Sequence, residues 1–286
     1  LLMVFIEALT LLILAAVAVS RGETEIINQL PIAKTILCIG DSITNGSGAS
    51  INSIYSYPSR LSHYLHHIDS HINLFNVVNL GVSGATAQKG FTTSYWNTPQ
   101  FATSLRFSHN ASAVIILFGT NDAKKTQWNE TNFIQDYIEL ISIYSNFQSR
   151  PRVYICSPPP IYGTYPIIRY EMQAHIINKQ LPNIINRIGQ QTNVPVINIF
   201  RALGGSDNPK VAPRLKNYFI NESMPLNNPN DGCHPNDLGY SQLARTVLQE
   251  LIRTNFTGRR MISSDNLPFK NLKSDEGSKL KIVKWS

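Results

Sequence analysis

Apolar residues in this chain fall into two kinds of run that alternate along its length. Short, almost unbroken runs stand at Thr35–Ile39, Ile72–Leu80, Ala113–Phe118, Arg152–Cys156 and Val194–Ile199. Runs this short, rich in Val, Ile and Leu, read as strands buried on both faces. Between and after them, Tyr57–Ile68, Phe133–Tyr144, Ile176–Ile188 and Leu238–Ile252 carry apolar residues at helical spacing, as at Phe133, Ile134, Tyr137, Ile138 and Ile141. Pro58 suits the first turn of its helix, whereas Pro182 should kink or divide the segment that contains it. Strands alternating with helices predict an α/β domain, with a parallel sheet, helices on both faces and right-handed crossovers. Residues 202–229 lack periodicity and read as a long surface excursion, of the kind that often forms a rim or lid.

The 286 residues suffice for one such domain with short additions, and 43% hydrophobic against 15% charged residues excludes a disordered chain. A net charge of +7 raises the question of an acidic partner. The stretch 258–286 holds seven Lys or Arg against three acidic residues, and so accounts for four of those charges. The body is close to balanced, which leaves no basic face for nucleic acid. Near the start, Ala8–Val19 is apolar but for Thr10, and Ala18-Val19-Ser20 precedes Arg21. That pattern predicts a secretory signal peptide over 1–20 and is too short for a spanning helix; an uncleaved anchor is the rival. The expected organisation is therefore a signal peptide at 1–20, one folded α/β domain at 30–257 and a basic, flexible tail at 258–286, with no membrane contact beyond the signal. Sequons at Asn45, Asn110, Asn129, Asn221 and Asn255 agree with a secreted or lumenal glycoprotein, Asn45 being expected to stay bare. Cys38 and Cys156 fall in predicted strands and read as core residues, with Cys233 the one expected nearer the surface.

Four strand ends or loops carry polar residues that a buried sheet does not need. These are Gly40-Asp41-Ser42, Asn79-Leu-Gly81-Val-Ser-Gly84, Gly119-Thr-Asn121-Asp122 and Asp231-Gly-Cys-His234-Pro235. In an open parallel sheet, chemistry collects beyond the carboxyl ends of the strands. Ser42 is a weak nucleophile until a base takes its proton, and His234 is such a base. Asp231, three residues earlier, can orient the imidazole and stabilise its charged form. The N–H groups of Ser42 and Gly84 and the side-chain amide of Asn121 can serve as donors to an oxyanion.

In order and approximate spacing these segments resemble the four sequence blocks of the SGNH (GDSL-type) hydrolase superfamily, with Ile43 where leucine is commonest. The resemblance covers residues 35–252. It implies a flavodoxin-like three-layer α/β/α sandwich around a five-stranded parallel sheet, and ester hydrolysis without a metal or other cofactor. It also implies that Ser42, Asp231 and His234 are catalytic, and that Ser42, Gly84 and Asn121 form the oxyanion hole. Lys89-Gly90, Tyr95-Trp96-Asn97, Lys124 and Trp128 are similar to a branch associated with carbohydrate O-acetylesterases, such as sialate and xylan deacetylases. The expected partner is thus a small ester or an acylated carbohydrate, with Trp96 and Trp128 as candidates for stacking on sugar faces or for ordinary packing.

Three rivals compete. An α/β-hydrolase needs Gly-x-Ser-x-Gly, which Thr44 breaks. A lipase or phospholipase of the same superfamily needs an apolar trough, for which the polar, Pro-containing 202–229 segment is poor material. A non-catalytic secreted binding protein would be expected to lack a triad member, and none is missing. His63, His67 and His71 share a helical spacing, but a solvated helix end explains them better than a metal site.

Overall fold

The run at 35–39 forms an inner strand of a five-stranded sheet. β1 (Lys34–Gly40) pairs with β2 (Phe75–Gly81) on one side and β3 (Ala111–Leu117) on the other. β4 (Arg152–Cys156) and β5 (Val196–Ile197) extend the sheet beyond β3, giving the order β2-β1-β3-β4-β5 with every pair parallel. The order reverses between β1 and β3, which is where doubly wound sheets open a crevice. The computed structural model describes residues 33–68, 75–163, 165–206, 218–219 and 231–257. The expected signal segment, the basic tail, residues 72–74 of the second run and most of 202–229 lie outside the described residues.

Nine helices are described: α1 (Ser42–Asn45), α2 (Asn52–Tyr55), α3 (Tyr57–Ile68), α4 (Pro99–Leu105), α5 (Glu130–Ser145), α6 (Tyr165–Tyr170), α7 (Leu181–Thr192), α8 (Ile199–Ala202) and α9 (Asp237–Arg253). They cover both faces of the sheet. Leu37 and Ile39 of β1 join Val114 and Ile116 of β3, Tyr137 and Leu140 of α5, and Ile184 and Ile188 of α7 in one core layer. The alternate residues Ile36 and Cys38 point the other way, into a layer with Ala113 and Ile115, Leu61 and Leu65 of α3, and Leu243 and Val247 of α9. Period-two alternation with both faces covered is why these strands have no polar side. Each of these wholly buried Leu, Ile and Val side chains contributes about 1.5–3 kcal/mol, enough to make the strand ends rigid mounts for the loops that follow.

Local chemistry explains where the elements depart from expectation. α5 begins at Glu130, ahead of its apolar stripe, because Asn129 caps it by accepting from Asn132 N at 3.0 Å. α4 carries a start signal of the same kind, with Thr98 Oγ1 accepting from Phe101 N and Pro99 in the first turn. The 176–188 segment is divided, as Pro182 demands: a π-helical turn over Ile176–Gln180 gives way to α7, with the proline in its first turn, where no N–H is required. The last strand is cut to two residues because Asn198 caps α8, its side chain accepting from Arg201 N at 2.9 Å. Cys233 corrects the expectation of surface placement. It is 1% exposed, and all three cysteines are buried and free.

Candidate active site

Three loops meet above the carboxyl ends of β2, β1 and β3. The β1 loop turns at Asp41, whose Oδ1 caps α1 by accepting from Ile43 N at 2.9 Å and so presents Ser42 as its first residue. The β2 loop lies hard against it. A side chain at Gly81 would come within 2.2 Å of Asn45 N, so glycine alone permits this approach. The half-buried Asn45 amide donates to Gly81 O at 3.3 Å, and Asn79 donates to Asn45 O at 3.3 Å. Gly84 has φ +83, a conformation only glycine adopts without strain, and ahead of its α-carbon there is open space. The β3 loop holds the β2 loop in turn. Asn121 donates to Ala85 O at 3.2 Å, while Asp122 accepts from Ala87 N at 3.2 Å and Gln88 N at 2.9 Å.

The fourth segment arrives from 192 residues along the chain. It is docked by Tyr162 N on Gly232 O at 2.7 Å, by Tyr240 Oη on Ser47 O at 2.6 Å, and by Asp237 accepting twice from Ser50. Within it, Asp231 Oδ1 accepts from the N–H groups of Cys233 at 2.8 Å and His234 at 2.7 Å, which closes the loop on its own carboxylate. Asp231 Oδ2 lies 2.5 Å from His234 Nδ1, and His234 Nε2 lies 2.8 Å from Ser42 Oγ. The network assigns the proton of the neutral ring to Nδ1, leaving Nε2 to accept from the serine hydroxyl.

The charges around this chain of contacts are sharply divided. Burial, the strongest influence on Asp231, pushes its carboxyl up, but the hydrogen bond and charge of His234 and the two backbone N–H groups outweigh it and hold the carboxyl below its ordinary value. Asp231 is therefore ionised beside the imidazole. Two other carboxyls below the loops behave oppositely. Burial pushes Asp122 up to about 6 against the pull of its backbone donors. It pushes Asp41 up to about 7 against the Ile43 N–H and the His234 charge, with the negative charge of Asp122 adding to the rise. For Asp41 the folded value exceeds the unfolded one, so its contribution to stability is complete below about pH 4 and is lost as pH rises through about 7. Asp41→Asn keeps the cap acceptor and removes the titration. The fall in Tm between pH 5 and pH 8 should be smaller in this variant than in the wild type, with Asp122 supplying the remainder. An unchanged fall would show that Asp41 does not ionise on this path.

Among the residues singled out in the sequence, Ser42, Asp231 and His234 form one connected chain, and Asn121 and Gly84 stand on the loops beside it. The N–H groups of Ser42 and Gly84 have no hydrogen-bond partner among the described residues, and one N–H of the Asn121 amide is free. Trp96 and Trp128 are half-buried and packed. Trp96 donates to Ala87 O at 2.8 Å, lies against Phe101 and carries Lys89 Nζ 4.2 Å from its ring centre; Trp128 lies against Phe133. His63 and His67 stack at 4.1 Å on the exposed end of α3, and His71 lies outside the described residues. Among the described residues no group of three or more His, Cys, Asp or Glu is placed to hold a metal. The sequence reading missed Tyr170, at the end of α6, whose ring meets that of His234 at 77° with centroids 6.1 Å apart. No local pattern marks it; its contact with His234 spans 64 residues of sequence.

The family profile described as GDSL-like lipase/acylhydrolase matches residues 36–247. An acetylxylan esterase of Xylanibacter ruminicola is 24% identical over 230 residues, an overlap of 74% of this chain and 42% of that protein. The chain thus spans less than half the length of that relative. Among solved structures, a lipase/acylhydrolase from Enterococcus faecalis superposes with TM-score 0.55 and 21% identity, over 76% of this chain and 95% of that one. A carbohydrate acetylesterase from Sinorhizobium meliloti does so with TM-score 0.56 and 14% identity, over 76% and 98%. At these identities the structural likeness is one of fold.

Proposed function

The chain belongs to the GDSL-like lipase/acylhydrolase family, and from that premise we propose that it is a secreted serine esterase that removes short acyl groups, acetyl foremost, from carbohydrates. One observation carries the reading: the unbroken chain Ser42 Oγ, His234 Nε2, His234 Nδ1, Asp231 Oδ2, with contacts of 2.8 and 2.5 Å, beside unoccupied backbone donors. Ser42 Oγ attacks the ester carbonyl as His234 Nε2 takes its proton, and ionised Asp231 stabilises the imidazolium. The carbonyl oxygen becomes an oxyanion facing the N–H groups of Ser42 and Gly84 and the Asn121 amide, donors already fixed by the loop contacts. Collapse expels the alcohol, which takes the proton back from His234 and leaves an acyl-Ser42. Water, deprotonated by the same nitrogen, then releases the acid.

The acetyl preference is supported by the acetylxylan esterase relative and by the resemblance of the 89–97 and 124–128 stretches to O-acetylesterases. Secretion is supported by the apolar 8–19 segment and the sequons. The test of substrate size is a series of 4-nitrophenyl esters. Acetate should exceed octanoate in kcat/KM by at least about tenfold, since a pocket shaped for one methyl group resists added methylenes. A preference for octanoate would point instead to a lipase, and no turnover of any ester, acetylated glycans included, would point to a binding protein.

A further inference from the structure

The two hydrogen bonds of His234 do not both last through the reaction proposed above. Once Ser42 has passed its proton to Nε2 and bonded to the acyl carbon, the imidazolium keeps its Asp231 bond and loses its serine partner. The ring can then pivot about that one bond, just when Nε2 has to present its proton to the departing oxygen. A contact that does not depend on where the proton sits would hold the ring through this exchange. Tyr170 supplies one. Its ring stands at 77° to that of His234 with centroids 6.1 Å apart, the edge-to-face arrangement that aromatic pairs favour. The His234 side chain is 14% exposed, so the ring is walled by protein rather than by water.

The mount of Tyr170 is firm. Tyr170 is the last residue of α6, and Glu171 takes a left-handed φ of 57 directly after it. A non-glycine residue holds that conformation only where its surroundings over-determine it. Here Lys125 N donates to Glu171 O and Gln173 N to Ala123 O, both at 3.0 Å, with Lys124 and Met172 opposed in an isolated antiparallel bridge. Met172 is 4% exposed and lies in the same core layer as Cys233. The strip 121–125 on the other side of the bridge begins at Asn121, an oxyanion donor in this mechanism. Tyr170 is thus tied to the loop that receives the carbonyl oxygen, while its ring meets the residue that serves the alcohol oxygen. We infer that Tyr170 is a positioning residue that keeps the His234 imidazole in line to deliver its proton to the leaving alcohol.

This inference rests on the esterase reading, and the test separates the two. 4-Nitrophenyl acetate and 4-methylphenyl acetate share an acyl group and a shape, but the methylphenol oxygen needs a proton to leave far more than the nitrophenol oxygen does. For both esters kcat/KM reports the acylation half of the reaction alone. Tyr170→Ala should lower kcat/KM about tenfold for the methylphenyl ester and only about twofold for the nitrophenyl ester, because a wandering ring harms proton delivery most where the proton matters most. Tyr170→Phe keeps the ring and should return both values close to those of the wild type. Equal losses on the two esters would make the contact merely structural and overturn the inference, as would no loss on the methylphenyl ester. A loss in Tyr170→Phe as large as in Tyr170→Ala would assign the effect to the hydroxyl and overturn the role of the ring. A wild type that hydrolyses only the nitrophenyl ester delivers no effective proton, which would overturn the inference and leave the esterase standing. Failure of the wild type on both esters and on acetylated glycans would overturn the esterase reading itself. Should Tyr170→Ala not fold, Tyr170→Leu keeps apolar bulk without a planar ring and is read in the same way.

Discussion

Ser42→Ala should lower kcat for acetyl esters by roughly 10⁴–10⁶-fold while leaving the fold and Tm nearly unchanged. The size of the loss follows from what the hydroxyl does. Without Oγ there is no acyl intermediate, and the residual rate is what donors and binding alone achieve for attack by water. The mildness of the structural effect follows from how Ser42 is held. Its position at the start of α1 is set by the Asp41 cap and by backbone bonds from Gly46 and Ser47 to its carbonyl, none of which uses the hydroxyl. Steady-state kinetics beside circular dichroism checks both halves. A variant that keeps more than about a hundredth of the rate would remove Ser42 from the mechanism.

Asp231→Asn should cost roughly 10⁴-fold in kcat, with the larger share of the damage in chemistry and little in KM. An asparagine at 231 can still accept from the N–H groups of Cys233 and His234 through one oxygen, so the loop keeps its shape. What changes is the contact with Nδ1. The present carboxylate is ionised and fixes the proton on Nδ1, so that Nε2 faces Ser42 with its lone pair. An amide nitrogen in the same place would favour the other tautomer and would not stabilise an imidazolium. The variant also separates charge from geometry: Asp231→Glu keeps the charge but displaces it. Comparable losses in both would mean that placement and charge are each required. Full activity in Asp231→Asn would make the 2.5 Å contact a structural one.

Much of this was legible because it was written locally. The buried strands declared themselves as unbroken Val, Ile and Leu runs, since helices on both faces leave no side for polar residues. The motifs at the strand ends stand out because Asp, Asn and Ser so soon after apolar runs are not needed to pack the sheet. Their convergence followed from topology, because parallel strands deliver all their carboxyl ends to one edge. The start of α4 is written just as locally: Thr98-Pro99 is a cap followed by a first-turn proline.

Other features depend on contacts across space. The depth of Cys233 reflects the closing of its loop onto Asp231 and Tyr162 and could not be read from its polar neighbours. Asp41 and Asp122 resemble site residues in the sequence, yet their carboxyls cap α1 and tie two loops together. Trp96 is a candidate sugar platform in the sequence, yet its indole N–H and ring are both engaged by protein. Tyr170 reaches His234 across 64 residues of sequence, a contact that no local pattern announces.

In this mechanism Ser42 carries the acyl intermediate, and covalent trapping tests that role most directly. The protein would be treated with a fluorophosphonate, then analysed by intact mass and peptide mapping. The expected result is a single adduct per chain, on Ser42, whose formation slows by orders of magnitude in His234→Ala. An adduct on another residue, or none under conditions where acetyl esters are still hydrolysed, would contradict the mechanism.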